Sequence, residues 1–342
     1  MKFTALAINN GDSFLLENEG KRILVDTGLR SLNCLNELNL KGIQKIDIVV
    51  ITHYDSDHMG GLIELLNSNI DIPEVWLPDN FKRIQLTLLE DNSNLLRYLK
   101  NIDVQPEDEY GTYDVIEDSV PLENSNRFGY TLFDVYQDGI ILFNLTNLRK
   151  VNISKIEEIV NVCHARRKNV KWLHYTGFLQ GFRISSTMIG LNCKVNRNLS
   201  PYKDDLEALY FLSRINHESL VLKYHTNGLP EILFTADSGF EFLNSNQSIS
   251  LENDSIVTAP HHGSASPENA RGYGLIKGSN LIYVRSENSR VTTLSRLYIN
   301  RRQSGLLNYC TKCRPVSISF SEVCLQYSNN QWNTSNFVCS CL

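Results

Sequence analysis

Ile46 to Ile51 form a nearly continuous apolar, β-branched run, and the polar residues that follow it come in a telling order: Thr52-His53-Tyr54-Asp55-Ser56-Asp57-His58, then Met59-Gly60-Gly61. Such a run reads as a strand buried on both faces. Leu62 to Asn67 beyond it has helical spacing. Strand, polar loop, helix places the loop at the carboxyl end of the strand, where α/β sheets gather ligands. Four of the six residues from His53 to His58 carry an imidazole or a carboxylate. Alternate residues of a tight loop point the same way, so His53 and Asp55 suit one metal, and Asp57 and His58 a second. Two cations ~3.5–4 Å apart can activate a water and stabilise the attacking and leaving oxygens of a phosphoryl or acyl transfer. The competing reading is a polar loop with Asp57 as a helix N-cap. The density of ligand-type residues and the Gly-Gly that follows favour the metal.

The rest of the chain fills in a framework. Phe3 to Ile8, Phe14 to Glu17 and Arg22 to Val25 read as short antiparallel strands separated by Asn9-Asn10-Gly11-Asp12 and Glu19-Gly20. Leu32 to Leu40 reads as a short helix. Between about 80 and 168 the pattern is that of an insertion or elaborated connection, with helical spacing over Leu86 to Leu99 and Ile153 to Val162 and strand character over Thr131 to Leu145. Strands return from Val170, at Met188–Leu191, Ser219–Tyr224, Glu231–Thr235 and Ser255–Ala259, around a helix over Asp204–Leu212. Two β-rich halves, each accompanied by helix, suit an α+β, four-layer αββα sandwich better than one doubly wound sheet. The expected division is a main domain over 1–308 and a Cys-rich element over 309–342.

At this point the sequence resembles a known family. Thr52-His53-x-Asp55-x-Asp57-His58-x-Gly60-Gly61 is similar to the second motif of the metallo-β-lactamase superfamily. Asp at the second ligand position resembles the soluble domain of the competence DNA-channel protein ComEC and its stand-alone relatives. Asn10-Gly11-Asp12-Ser13-Phe14-Leu15 and Ile23-Leu24-Val25-Asp26-Thr27-Gly28 resemble the family's opening strands and first motif. Asn216-His217-Glu218-Ser219-Leu220-Val221-Leu222, Leu233-Phe234-Thr235-Ala236-Asp237-Ser238-Gly239 and Ala259-Pro260-His261-His262-Gly263-Ser264 resemble its later segments, in the family's order. The likeness runs over roughly residues 1–78 and 170–310. It implies the metallo-β-lactamase fold, with His53 and Asp55 on the first metal, Asp57 and His58 on the second, and Asp237 bridging both. It implies His262 as the late ligand, with His261 as the fallback or a supporting residue. His217 is either a further first-site ligand or a turn histidine ahead of a strand. Asp26 is expected to orient the ligand loop by hydrogen bonds.

A carboxylate-rich set suits Mn²⁺, with Zn²⁺ the close competitor. Either would supply hydroxide near neutral pH, so no protein nucleophile is required, and Asp57 is the candidate to accept the water's proton. One departure stands out. The ComEC-type His-Pro after the late motif is replaced here by Ser289-Arg290-Val291-Thr292-Thr293-Leu294, and no His follows His262. Arg285, Arg290 or Thr292 are candidates to take its place at the substrate.

Eight Cys are present; Cys310, Cys313, Cys324, Cys339 and Cys341 crowd the last part of the chain. Cys310-x-x-Cys313 with Cys339-x-Cys341 can close a tetrahedral thiolate site, the expectation being one structural Zn²⁺ with Cys324 left over. Unrelated thiols in a strand-rich tail are the alternative. No apolar run approaches the ~20 residues of a membrane span, and the N-terminal residues read as a first strand, so the expected location is the cytoplasm, without a membrane partner. A net charge of −5 lowers the expectation of a protein gripping long nucleic acid. The basic run His164-Ala165-Arg166-Arg167-Lys168-Asn169-Val170-Lys171 and Arg301-Arg302 read first as solvated faces, second as phosphate-binding surface. Three function classes remain: a dinuclear-metal phosphodiesterase or nuclease acting on DNA, RNA or another phosphodiester; a small-molecule ester, lactone or nucleotide hydrolase; and a non-catalytic subunit of a larger, defence-related complex.

Overall fold

The computed structural model describes residues 1–8, 10–30, 32–90, 93–101, 135–136, 139–140, 152–214, 216–265, 267–286, 295–303, 307–311 and 322–334. Its strands, in chain order, are β1 (Lys2–Ala5), β2 (Phe14–Asn18), β3 (Lys21–Val25), β4 (Ile48–Val50), β5 (Glu74–Pro78), the hairpin β6 (Val135–Tyr136) and β7 (Gly139–Ile140), β8 (Asn169–Tyr175), β9 (Phe182–Arg183), β10 (Met188–Gly190) and β11 (Cys193–Val195). The second half adds β12 (Leu222–Tyr224), β13 (Ile232–Phe234), β14 (Ile249–Ser250), β15 (Ile256–Thr258), β16 (Ile276–Lys277), β17 (Ile282–Arg285), β18 (Asn308–Cys310), β19 (Val323–Ser328) and β20 (Gln331–Asn333). Among the described residues one sheet runs β11-β8-β5-β4-β3-β2-β1-β19-β20 and a second β18-β17-β15-β13-β12-β10-β9.

The layers follow from the two-residue period of the strands. Phe14, Leu16, Ile23 and Val25 turn into the space between the sheets, where they meet Leu222, Ile232, Phe234, Ile256, Ile282 and Val284. Their neighbours Leu15, Leu24 and Val49 turn outward under helices α1 (Asn33–Leu40), α3 (Leu62–Asn67), α4 (Asn80–Glu90), α5 (Asn94–Asn101), α6 (Ile153–Ala165) and α7 (Asp205–Leu212). On the far side Val221, Leu233, Val257 and Tyr283 pack against Tyr273 of α8 (Pro267–Leu275) and Tyr298 of α9 (Arg296–Gln303). Both faces of both sheets are thus buried, which is why β4, β13 and β15 are apolar without alternation. Phe3, Phe14 and Phe234 tie the sheets together with ring centroids 5.7 to 6.3 Å apart. The result is the four-layer α+β sandwich.

Two observations bear on the expected division of the chain. The stretch set apart as an insertion begins and ends in helices of the sandwich itself: Phe81 and Ile84 of α4, Leu96 and Leu99 of α5, and Ile156, Ile159 and Cys163 of α6 are buried in the same outer layer. Apart from the β6–β7 hairpin, the expected strand region Thr131 to Leu145 lies outside the described residues. The chain beyond residue 308 is also not set apart from the sandwich in its described part. β19 pairs with β1 over four residues, Lys2 to Ala5 against Gln326 to Val323. This pairing satisfies backbone groups that an edge strand would expose.

Strands β3, β4, β5 and β8 run parallel, so Asp26, Thr52-His53, Asp79 and Thr176 emerge at one end of the sheet. The basic run spans the turn before β8 and its first three residues, Asn169 to Lys171, at the opposite end of a strand of seven residues or about 23 Å. It therefore lies away from the ligand loop. Arg301 and Arg302 lie within α9.

Candidate metal centre

The ligand loop is held by a network built on Asp26. Asp26 sits at φ 61, a left-handed conformation unusual for a non-glycine residue. Its carboxylate accepts hydrogen bonds from Thr52 N and Thr52 Oγ1, both 2.8 Å, and lies 2.9 Å from His58 Nδ1. The Thr52 hydroxyl, having donated to Asp26, is left to accept from His53 Nδ1 at 3.1 Å. Across the site Asp12 Oδ1 lies 3.0 Å from His262 Nδ1. All three imidazoles are therefore committed at Nδ1 and present Nε2, the arrangement that supporting hydrogen bonds impose on metal-binding histidines.

Those Nε2 atoms converge on Asp237. Its Oδ1 lies 3.2 Å from His58 Nε2 and 3.4 Å from His262 Nε2, while its Oδ2 lies 3.4 Å from His261 Nε2 and 3.9 Å from His53 Nε2. Asp57 flanks the first pair, 3.2 Å from His262 Nε2 and 3.8 Å from His58 Nε2. Asp12, His58, Asp237 and His262 each offer a ligand atom within 4.8 Å of the others. His53 Nε2, His58 Nε2 and Asp237 Oδ1 are buried yet make no hydrogen bond. A buried polar atom without a partner costs about 1–3 kcal/mol; three of them facing one point mark a place built for cations. Nitrogen and carboxylate donors in this number fit two divalent ions.

Backbone strain points to the same place. Besides Asp26, Ala236, His261 and His262 have φ of 47, 45 and 53. Non-glycine residues in this region cost of order 1–3 kcal/mol each and cluster at functional sites. The turn Pro260–Gly263 is pinned by His261 N to Ala236 O (2.9 Å) and Ser295 N to Gly263 O (2.8 Å). Gly11 makes the close approach possible on the other side: at φ 86, a Cβ there would lie 1.7 Å from Asp57 O.

Charge is unevenly shared. Burial alone would strip the proton from His58, but Asp237, Asp57 and Asp26 outweigh it and hold its pKa well above the imidazole value. Burial, helped by His58, pushes His53 well below. Despite burial, Asp237 is held well below the carboxylate range by His261, His262 and His58, and Asp57 is lowered by His58 and His262. Burial raises Asp12 against the pull of His262. The cluster is a concentration of negative charge that draws positive charge to its centre.

The residues singled out in the sequence are thus distributed as follows. His53, Asp57, His58, Asp237, His261 and His262 come together, with Asp26 behind them. Asp55 is half-buried and caps α2 (Ser56–Met59) by accepting from Ser56 N; the capping carboxylate is Asp55, where Asp57 was the alternative. His217 lies 3.2 Å from Glu241 Oε1. Arg285 is buried at the end of β17, and Arg290 and Thr292 lie outside the described residues. Cys310 is buried on β18 and Cys324 lies on β19; Cys313, Cys339 and Cys341 lie outside the described residues. In the sequence Asp12 belongs to a turn and to the Asn10 to Leu15 segment that resembles the family's opening strands, and neither gives a sign of a partner 250 positions away. Also unforeseen is a water-sized cavity of about 10 Å³ beside His53, lined by Asp79, Asn80, Tyr175 and Glu218. Burial raises Glu218 there to about 7.

The model of the metallo-β-lactamase superfamily matches residues 8–75, the segment holding Asp12, Asp26 and the ligand loop. That match covers about a fifth of the chain, and the two helix-flanked sheets are in keeping with the metallo-β-lactamase fold. The chain is similar to the anti-Pycsar protein Apyc1 of Saccharibacillus brassicae, 40% identical over 50 residues, which is 15% of this chain and 20% of that protein. The chain thus matches about a fifth of that relative's length. Among solved structures it is similar to a metal-dependent hydrolase of the β-lactamase superfamily (13% identity, 96% of this chain and 100% of that one, TM-score 0.40). It is also similar to the short form of human tRNase Z (12%, 94% and 98%, TM-score 0.38) and to a diphosphatase of the PhnP family (10%, 95% and 97%, TM-score 0.36). Among the described residues no helix is long and apolar enough to cross a membrane.

Proposed function

We propose that this chain is a metal-dependent hydrolase that cleaves phosphodiester bonds, in nucleic acid or nucleotides, at a two-cation centre divided by Asp237. The observation that carries the proposal is the split of one carboxylate: Oδ1 toward His58 and His262, Oδ2 toward His261 and His53. On this reading His58, His262 and Asp57 hold one ion and His53 and His261 the other, with Asp55 beside the latter. Both late histidines are then ligands. When bound, two such ions supply hydroxide near neutral pH and stabilise charge on a phosphoryl oxygen. The chain's own residues do the rest. Asp26, Thr52 and Asp12 fix the imidazole tautomers, and Asp57, whose side chain keeps 29% exposure, accepts a proton at the open face. The carboxylates of this set suit Mn²⁺ and its four imidazoles suit Zn²⁺, so metal analysis decides between them. His217, braced on Glu241, is left out of this ligand set.

The name of the matched relative ties that protein to countering Pycsar, in keeping with a defence-related setting; a small-molecule nucleotide substrate fits the same chemistry. The test is metal analysis of protein purified without chelator, paired with turnover of bis(p-nitrophenyl) phosphate, nucleotides and short DNA and RNA in Mn²⁺, Mg²⁺ and Zn²⁺. Two equivalents of metal and metal-dependent phosphodiester cleavage are expected, with His217→Ala keeping both ions. A protein that binds two metals but turns over only esters or lactones would move the assignment to the alternative substrates, and one that turns over nothing would make it a binding subunit.

A further inference from the structure

The connection from α7 to β12 runs along the ligand loop. Tyr54 Oη donates to Phe211 O at 2.9 Å, and Leu220 N donates to Thr52 O at 3.0 Å, next to His53. Between these anchors lies Arg214, whose carbonyl accepts from Glu218 N at 3.0 Å. Glu218 and Tyr175 line the cavity beside His53, and the Arg214 charge acts on both. Arg214 is half-buried. Its Nη1 donates to Tyr210 Oη at 2.7 Å and its guanidinium lies 5.1 Å from the Tyr210 ring centroid. Its Nε is buried and makes no hydrogen bond.

Its situation differs from that of the other arginine of this wall. Arg83 is paired with Glu207 at 2.6 Å and packed over Tyr202 and Phe211, so its charge is spent within the fold. Among the described residues no carboxylate forms an ion pair with Arg214; Glu218, whose N–H donates to the Arg214 carbonyl, is the acidic residue beside it. A guanidinium held by an aromatic hydroxyl, without a carboxylate in ion-pair contact, on a connection anchored to the ligand loop through Leu220 N and Thr52 O, is suited to an anion brought in from outside. Its planar fork of donors matches phosphate oxygens. Tyr210, 38% exposed, adds a ring face at the same lip, of the kind on which nucleobases stack.

We infer that Arg214, positioned by Tyr210, is the phosphate-contacting specificity residue of the substrate site, on the His53 side of the metal centre. The inference rests on the phosphodiester reading and names the part of the site that selects it. It makes the substrate a nucleotide or oligonucleotide whose phosphate meets Arg214 while its base meets the Tyr210 ring.

The test compares metal-loaded wild type with Arg214→Gln, Arg214→Lys and Tyr210→Leu on thymidine 5′-(p-nitrophenyl) phosphate and a short single-stranded DNA, with metal content and Tm measured alongside. Arg214→Gln should raise KM at least 10-fold, with kcat within about 3-fold and two metals retained; Arg214→Lys should recover part of that loss. Raising salt from 50 to 300 mM should raise KM in wild type and barely in Arg214→Gln. Tyr210→Leu should raise KM for both substrates. An unchanged KM in a folded, metal-loaded Arg214→Gln overturns the inference while leaving the phosphodiester reading intact. Loss of metal or a fall in kcat matched by Tm overturns it in favour of a structural role, with Arg214→Lys as the check in case Arg214→Gln fails to fold. A wild type that cleaves no phosphodiester removes the reading itself, and the inference with it.

Discussion

The early and late halves of the candidate metal centre are built on opposite principles. The early half, Asp26 with the loop from Thr52 to His58, hangs from the ends of adjacent parallel strands, and one carboxylate orients both of its histidines through short hydrogen bonds. The late half, Ala236-Asp237 and His261-His262, places three of four residues in the left-handed region and depends on Asp12 reaching across from the first turn. Short-range chain order secures the one. Long-range packing that overrides local preference secures the other. A centre made this way can be weakened from either side, but by different routes.

The largest effect should come where the halves meet. Asp237→Ala removes the carboxylate shared by all four imidazoles, and turnover should fall by more than about 10³-fold with loss of both metal equivalents; retention of two tightly bound ions would break the division by Asp237. Next, Asp26→Asn should weaken metal binding about 10–100-fold, because it disturbs both His53 and His58. Asp12→Asn, which alters the support of one histidine, His262, should cost less, and equal losses by competition titration would show that the halves do not differ as described. Gly11→Ala forces a Cβ against Asp57 O at φ 86, and should destabilise the protein by about 2–4 kcal/mol. Denaturant titration checks this.

The smallest effect concerns Glu218. Its folded pKa, near 7, lies above the unfolded value, so the folded state binds more protons and stability declines as pH rises from about 4.5 to 7. Glu218→Gln should flatten that slope between pH 5.5 and 7.5; an unaltered slope would mean that another group titrates there.

The same contrast explains what could be read from residues alone. The ligand loop was legible because a doubly buried strand, four ligand-type residues and Gly-Gly are contiguous, and Asp26 because Ile23 to Gly28 resembles the family's first motif. The alternation in β2 and β3 and the apolar runs of β4, β13 and β15 carried the sandwich. Asp12 and Arg214 were not legible, because a turn residue and a helix-terminal arginine acquire their surroundings only through the tertiary fold. Nor was the place of β19, since a six-residue strand carries no sign of which sheet edge it will close.

That last strand has a consequence for the order in which the molecule is assembled. β1 has β2 on one side and β19 on the other, and Asp12 lies in the turn between β1 and β2, braced against His262. A chain emerging from the ribosome therefore carries its first strand with an open flank until more than 300 further residues have been made. The assembled centre thus waits on β19, and a chain cut before that strand would retain the ligand loop without the enclosure that aligns it.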